Sequence, residues 1–454
     1  MTKRILSLIL LAGMLLSLCA CACADRRPVP SSDPESPIEA SAPAESRPDS
    51  GEQVIAASPG PEVSGAPVEE LPPIREEEPT GRPEESAPVS VPVALGEEDA
   101  YQFQSLSSGQ KAAYRRLGEA AARLERRVDL ADSGLTRSEA MRLLYCYMID
   151  HPQQFWLSHQ ATVLYRPGDE AALCILLSFT DGSSEDRWVY GGETGYTLEK
   201  SVDLSKIREQ AEAFAAALET LAAGISADSG EVETVRRIHD AVCARVTYDY
   251  AAASTVEGSL HPAAFSAYGA AVNGRAVCEG YAKLFQLLCA RFGIAATAVI
   301  GQAGGDSHMW NAVRIQSNWY YMDLTWDDSV DQTPPGYSYY ALTEAELSAT
   351  HVIDRSSLAV PDCQSREAAF GKTFGCELVS ENEPPDGWER VCERIARGQE
   401  EYLMLVAAPG QMPGDYVERF FWAADSPFAQ KGYSFRFENE YLQMGSILYL
   451  RAVR

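Results

Sequence analysis

The chain has 454 residues, 46% of them hydrophobic, enough for a sizeable core and for more than one folded unit. Its formal net charge is −27, which argues against nucleic acid as the main partner, because phosphate binding needs a basic surface. Solubility and an acidic linker account for the charge more simply.

Lys3 and Arg4 precede an apolar run over 5–18 that is too short for a comfortable membrane span, so residues 1–20 read as a secretory signal peptide. Leu18-Cys19-Ala20-Cys21 resembles a bacterial lipobox, with Cys21 as the lipid acceptor and Cys23 as the weaker alternative. This predicts a secreted protein lipid-anchored to the outer face of the cytoplasmic membrane, where disulfides are permitted. Residues 21–100 are rich in Pro, Glu, Ser and Ala and carry about half of the net charge. Such a composition cannot bury enough apolar area to order itself, and it reads as a disordered tether, partly polyproline II.

Order begins near Tyr101. Helices are expected at 107–128 and, from the capping box Thr136-Arg137-Ser138-Glu139, up to Pro152. Strands are expected at 155–165, 171–179 and 187–190, then helices at 204–225 and 231–246. A short helix at 263–271 and the Asn273-Gly274 turn lead to a helix that opens at Cys278 and stops at Gly293. A strand over 294–300, a loop over 301–306 and a hairpin of 309–315 with 319–326 follow, then a short helix at 343–349. The tail, 360–454, reads as a small α+β module with helices at 388–396 and 416–424 and strands at 402–407, 433–438 and 446–453. No role can be read from it.

Of 11 cysteines, three lie at the signal end. If Cys278 is a reactive thiol, an odd number remains, so complete pairing within one chain is impossible. There is no CxxC and no HExxH, so no metal site is expected. Most of the remaining cysteines read as small buried hydrophobes, and Cys363 with Cys376 could close a local loop.

Cys278, His308 and Asp323 follow one another at spacings of 30 and 15 residues. A thiol, an imidazole and a carboxylate are what an activated thiolate needs: a nucleophile, its base, and a group that fixes the base's tautomer. At the first turn of a helix Cys278 meets free N–H groups and the positive end of the dipole. An even hairpin loop such as Gln316-Ser317 sets His308 opposite Thr325 and makes Asp323 its diagonal neighbour on one face. An odd loop puts them on opposite faces. His239 and His261 read as structural, and Asp327 and Asp328 as caps or braces.

GRAVCEGYAKLFQLLCARFGI, SHMWNAVRI and WYYMDLTWDD together resemble the transglutaminase-like superfamily, as do the upstream IHDAVCARVTYD and SAYGAAVNG. The resemblance covers roughly 230–350. It implies an α+β fold with a papain-like core, in which the helix bearing the cysteine packs on an antiparallel sheet bearing the histidine and the aspartate. By it Cys278 is the nucleophile, His308 the base and acid, and Asp323 the orienting carboxylate. The implied chemistry is acyl transfer at amide bonds of peptides or proteins through a thioester, by peptidase, deamidase or transglutaminase-type reaction. The oxyanion would take the Cys278 N–H and a side-chain donor, for which Tyr268 is a candidate, while Trp310, beside the histidine, would either shape the acyl channel or belong to the core. No cofactor is implied. The domain reading is thus a signal peptide over 1–20, a tether over 21–100, an N-terminal helix and strand region over 101–228, a transglutaminase-like domain over 229–355 and the C-terminal module over 360–454. Expected partners are a peptide or protein substrate, free or linked to the cell wall, and the membrane. The alternative is a non-catalytic binding or scaffolding module that keeps the fold.

Overall fold

The computed structural model describes residues 88–373 except 94–95, 98, 166–170, 191–195, 228–229, 255–261, 329–335 and 338, together with residue 397 and the strand segments 63–64, 378–379, 401–406, 436–444 and 447–453. The signal peptide, Cys21, Cys23 and most of the tether lie outside the described residues, as do His261, Cys376 and the helices expected at 388–396 and 416–424. Among the described residues no helix is long and apolar enough to cross a membrane.

Ser107 and Thr136 start the helices Ser108–Arg123 and Arg137–Asp150 through capping boxes with Gln110 and Glu139. The first helix stops short of the expected 128 because Leu124 turns left-handed, at φ 59. The chain then extends into the edge strand Arg127–Asp129. This strand completes a sheet in the order Val63–Ser64, Leu157–Tyr165, Ala172–Phe179, Arg127–Asp129. A two-stranded ribbon, Arg187–Tyr190 with Tyr196–Lys200, adds a strand that the hydrophobic pattern does not signal. The helices Leu204–Ala223, capped by Asp203, and Glu231–Arg245 follow.

The sheet that carries the chemistry is antiparallel, in the order Asn318–Met322, Asp306–Ile315, Ala296–Ala303, His351–Ile353. The cysteine helix, Cys278–Arg291, packs on it and is buried from Glu279 to Ala290. The loop expected over 301–306 shrinks to a tight turn at Gly304 and Gly305, with φ of 63° and 98°. Glycine takes this left-handed backbone without steric cost, so the strands run on to Ala303 and start again at Asp306. The edge strand His351–Ile353 was not expected either. It lies so close that a Cβ on Gly301 would come within 2.0 Å of the Val352 carbonyl oxygen.

One apolar cluster runs from Phe103, Leu117 and Trp156 through Phe214 to Leu284, Leu288 and Tyr340. The N-terminal helices and the cysteine helix therefore bury their apolar faces against each other. Cys363 is a free thiol buried with Val299, Trp310 and Tyr321; Cys376, suggested as its partner in a local loop, lies outside the described residues. Near the C-terminus, Leu378–Val379, Glu401–Val406, Ile447–Val453 and Arg436–Met444 form a further sheet in that order, with only the first pair parallel. The fold is α+β, a helix laid on a curled antiparallel sheet.

Candidate active site

Cys278 is the first residue of its helix and follows the extended cap Val277. It is partly exposed, whereas Cys146, Cys174, Cys243, Cys289 and Cys363 are buried. Its backbone N–H is one of those that a helix start leaves without an intrahelical acceptor. The start of the helix is held closely. A Cβ on Gly280 would lie 2.5 Å from the Ala276 Cβ and 3.0 Å from the Ala264 carbonyl oxygen. Next to the thiol, Glu279 is buried, ion-paired with Lys283 and 3.1 Å from His159 Nε2. One turn on, the Asn311 side-chain amide donates to the Ala282 carbonyl at 3.0 Å, which ties the histidine strand to the cysteine helix.

The hairpin pairs Ile315 with Asn318 and leaves Gln316-Ser317 as a two-residue turn, the even case. Continued past its last pair, Asn311 with Met322, this register sets His308 and Asp323 on the diagonal. The strand ends at Met322, not at 326 as the pattern suggests, because Asp323 caps the short helix Leu324–Asp327. Its Oδ1 accepts the Thr325 and Trp326 backbone N–H groups at 3.0 and 3.3 Å. Its Oδ2 lies 2.7 Å from His308 Nε2, which leaves the other ring nitrogen for Cys278.

Burial opposes the charged form of His308, but the Asp323 carboxylate and then the neighbouring Cys278 outweigh it and hold the imidazole well above its ordinary value. Burial likewise opposes ionisation of Asp323, yet His308 and His351 keep its carboxyl well below the usual carboxylate range. Both shifts favour the charged forms, an imidazolium beside an ionised carboxylate.

His351 escaped the sequence reading. Its Nε2 lies 3.1 Å from the same Asp323 Oδ2. The two imidazole nitrogens and the carboxylate oxygen all lie within 4.8 Å of one another, a spacing that their hydrogen bonds explain. Tyr248 was also missed. It pairs through its backbone with Ala276, two residues before the thiol, and its ring leans on Tyr281. Burial, then the charges of Cys278, Tyr250, Asp323 and Asp306, push its phenol up, so it stays an O–H donor in the electrostatic neighbourhood of the thiol. Among the described residues its hydroxyl has no hydrogen-bond partner. Tyr268, read as that donor, is instead held in the main core, stacked on Phe155 at 4.7 Å with Phe214 at its edge. Trp310 stacks beside His308 but is 1% exposed and packs with Val299, Ala312 and Tyr321, so it forms the floor under the imidazole and not an open channel wall.

A second cysteine, histidine and aspartate meet nearby, and burial separates the two sets. His239 Nε2 lies 3.2 Å from Asp327 Oδ2 and 4.0 Å from the Cys243 sulfur. His239 and Asp327 are at most 1% exposed, and burial pushes the Cys243 thiol up to about 11. Asp327 also takes the Tyr339 N–H at 2.8 Å. This set braces the turn that follows Asp323, and no substrate could reach it.

Residues 219–324, which hold Cys278, His308 and Asp323, match the family model described as the transglutaminase-like superfamily. Over 115 residues the chain is 29% identical to human kyphoscoliosis peptidase, covering 23% of this chain and 17% of that protein. The mouse protein is 28% identical over 135 residues, covering 26% of this chain and 20% of its own length. The chain therefore spans only a small part of the curated relatives it matches. A solved structure described as a TGase overlaps 41% of this chain and 44% of its own, at 15% identity and a TM-score of 0.25. This chain thus carries, over residues 219–324, a domain of the transglutaminase-like superfamily.

Proposed function

We propose that the chain is a surface lipoprotein whose Cys278, His308 and Asp323 transfer acyl groups from amide bonds of peptides or proteins. The Cys278 thiolate attacks the amide carbonyl and forms a C–S bond. The oxyanion is met by the Cys278 backbone N–H and the Tyr248 hydroxyl. His308, protonated, gives its proton to the departing nitrogen as the C–N bond breaks, which leaves a thioester and a neutral imidazole. His308 then takes a proton from water, giving hydrolysis or deamidation, or from an amine, giving a new amide. Release of the acyl group restores the thiolate and imidazolium. The single observation behind this reading is the 2.7 Å contact of His308 with a buried, fully hydrogen-bonded Asp323 at the mouth of the cysteine helix.

The acceptor is found by incubating the protein with a dansylated amine and a glutamine-rich protein, reading amine incorporation, ammonia release and peptide cleavage in parallel. Cys278→Ala serves as the blank, and equal signals from it and the native chain in all three assays refute the proposal. Tyr248→Phe should lower kcat by about 10²- to 10³-fold, the usual effect of losing one oxyanion donor, while leaving alkylation of Cys278 unchanged. An unaltered kcat removes Tyr248 from the mechanism. For the anchor, Cys21→Ala should shift the protein from the membrane fraction to the soluble one, and retention at the membrane excludes Cys21 as the attachment point.

A further inference from the structure

His351 lies outside the matched residues and has no part in the three-residue scheme, yet it is 2% exposed and points at the scheme's carboxylate. A carboxylate oxygen only accepts, so the Nε2 atoms of His308 and His351, at 2.7 and 3.1 Å from Asp323 Oδ2, must both present N–H groups to it. At the other side of the ring, His351 Nδ1 lies 2.8 Å from Thr350 Oγ1, which is itself 3.4 Å from the Tyr339 hydroxyl. The Tyr339 hydroxyl donates to Thr350, whose single hydroxyl proton has two acceptors, the Leu347 carbonyl at 3.5 Å and Nδ1 at 2.8 Å; given to the nearer Nδ1, it holds the His351 proton on Nε2. Two backbone N–H groups already fill Oδ1 of Asp323. The carboxylate therefore meets four donors, about as many as its lone pairs take.

We propose that His351 is a positioning residue that shares the Asp323 carboxylate with His308 and so limits how strongly the catalytic imidazolium is held. This role presupposes the thiol acyl-transfer reading of the site. An imidazolium that alone receives the full carboxylate charge gives up its proton reluctantly to a leaving nitrogen, and a second donor on the same oxygen weakens that hold. The other groups that face the two rings are Cys278 from the helix, Trp310 from the histidine strand, Trp326 from the short helix and Tyr339 from the following loop. Asp306, Asp327 and Tyr248 lie in the same electrostatic neighbourhood through Asp323 and Tyr248.

The test follows the pH dependence of Cys278 alkylation by iodoacetamide in the full chain, with Cys278→Ala as the blank. His351→Leu removes the donor, and His351→Gln keeps an N–H near the Nε2 position. The alkaline inflection, where His308 loses its proton, should rise by about one pH unit in the leucine variant. It should return to the native position in the glutamine variant. An inflection that stays in place or falls in a folded His351→Leu protein overturns the proposal. Should that variant fail to fold, imidazole ¹⁵N spectra of the unsubstituted chain decide, with His351→Gln assigning the signal. An Nε2–H tautomer supports the role and an Nδ1–H tautomer refutes it. If the native chain shows no inflection, the acyl-transfer reading has failed, and the tautomer still decides whether His351 donates to Asp323.

Discussion

Replacing Asp323 by asparagine should lower kcat by about 10³- to 10⁴-fold, the scale seen when a triad carboxylate becomes an amide, and should destabilise the fold as well. Asparagine serves as the third group in some thiol enzymes, but here both carboxylate oxygens act as acceptors. Oδ1 takes the N–H groups of Thr325 and Trp326, and Oδ2 takes those of His308 and His351. A carboxamide has one accepting oxygen, so in either orientation its NH₂ group faces two donors. Two buried donors left unpaired cost about 1–3 kcal/mol each. Steady-state rates and melting temperature should fall together. A variant with native stability and more than a tenth of native kcat contradicts the assigned hydrogen-bond pattern.

His308→Ala should abolish turnover, by about 10⁴-fold or more, because the thiol loses both its proton acceptor and the acid for the leaving group. The fold should survive, since Asp323 keeps His351 and two backbone donors. The stability difference from the native chain should depend on pH. His308 is raised in the folded state, so its contribution is complete below the unfolded histidine value near 6.5 and fades as pH rises through the higher folded value. Asp323 is depressed, so its contribution is complete above about 4 and is lost at lower pH. The melting-temperature gap between the two proteins should therefore be widest between about pH 4 and 6.5 and should narrow above it. A gap that widens with rising pH contradicts the imidazolium assignment.

The parts of the site that depend on local pattern could be read in advance. The register of the hairpin follows from two loop residues, and side chains that alternate along a strand then place His308 and Asp323 on one face. The helix start at Cys278 follows from the turn before it and the apolar spacing after it. What escaped depends on contacts between segments distant in the chain. His351 lies on a three-residue strand that exists only because Gly301 lets it approach. Tyr248 carries no local signal, because its pairing with Ala276 is a two-residue parallel bridge. Tyr268 is nearer Cys278 in sequence, but the aromatic cluster of Phe155 and Phe214 claims its ring. The end of the last hairpin strand was misjudged because Asp323 can serve strand or helix cap, and the free N–H groups after it select the cap.

The thiolate itself is open to direct measurement by iodoacetamide labelling at pH 6, with modified peptides identified by mass. An ordinary thiol is only about 0.3% ionised at that pH, so a cysteine paired with an imidazolium should react about 10²-fold faster than the same residue in the unfolded chain. One equivalent of label, at Cys278 and at that rate, is the expected result. Labelling of Cys278 no faster in the native protein than in the denatured one would contradict an activated nucleophile at this site.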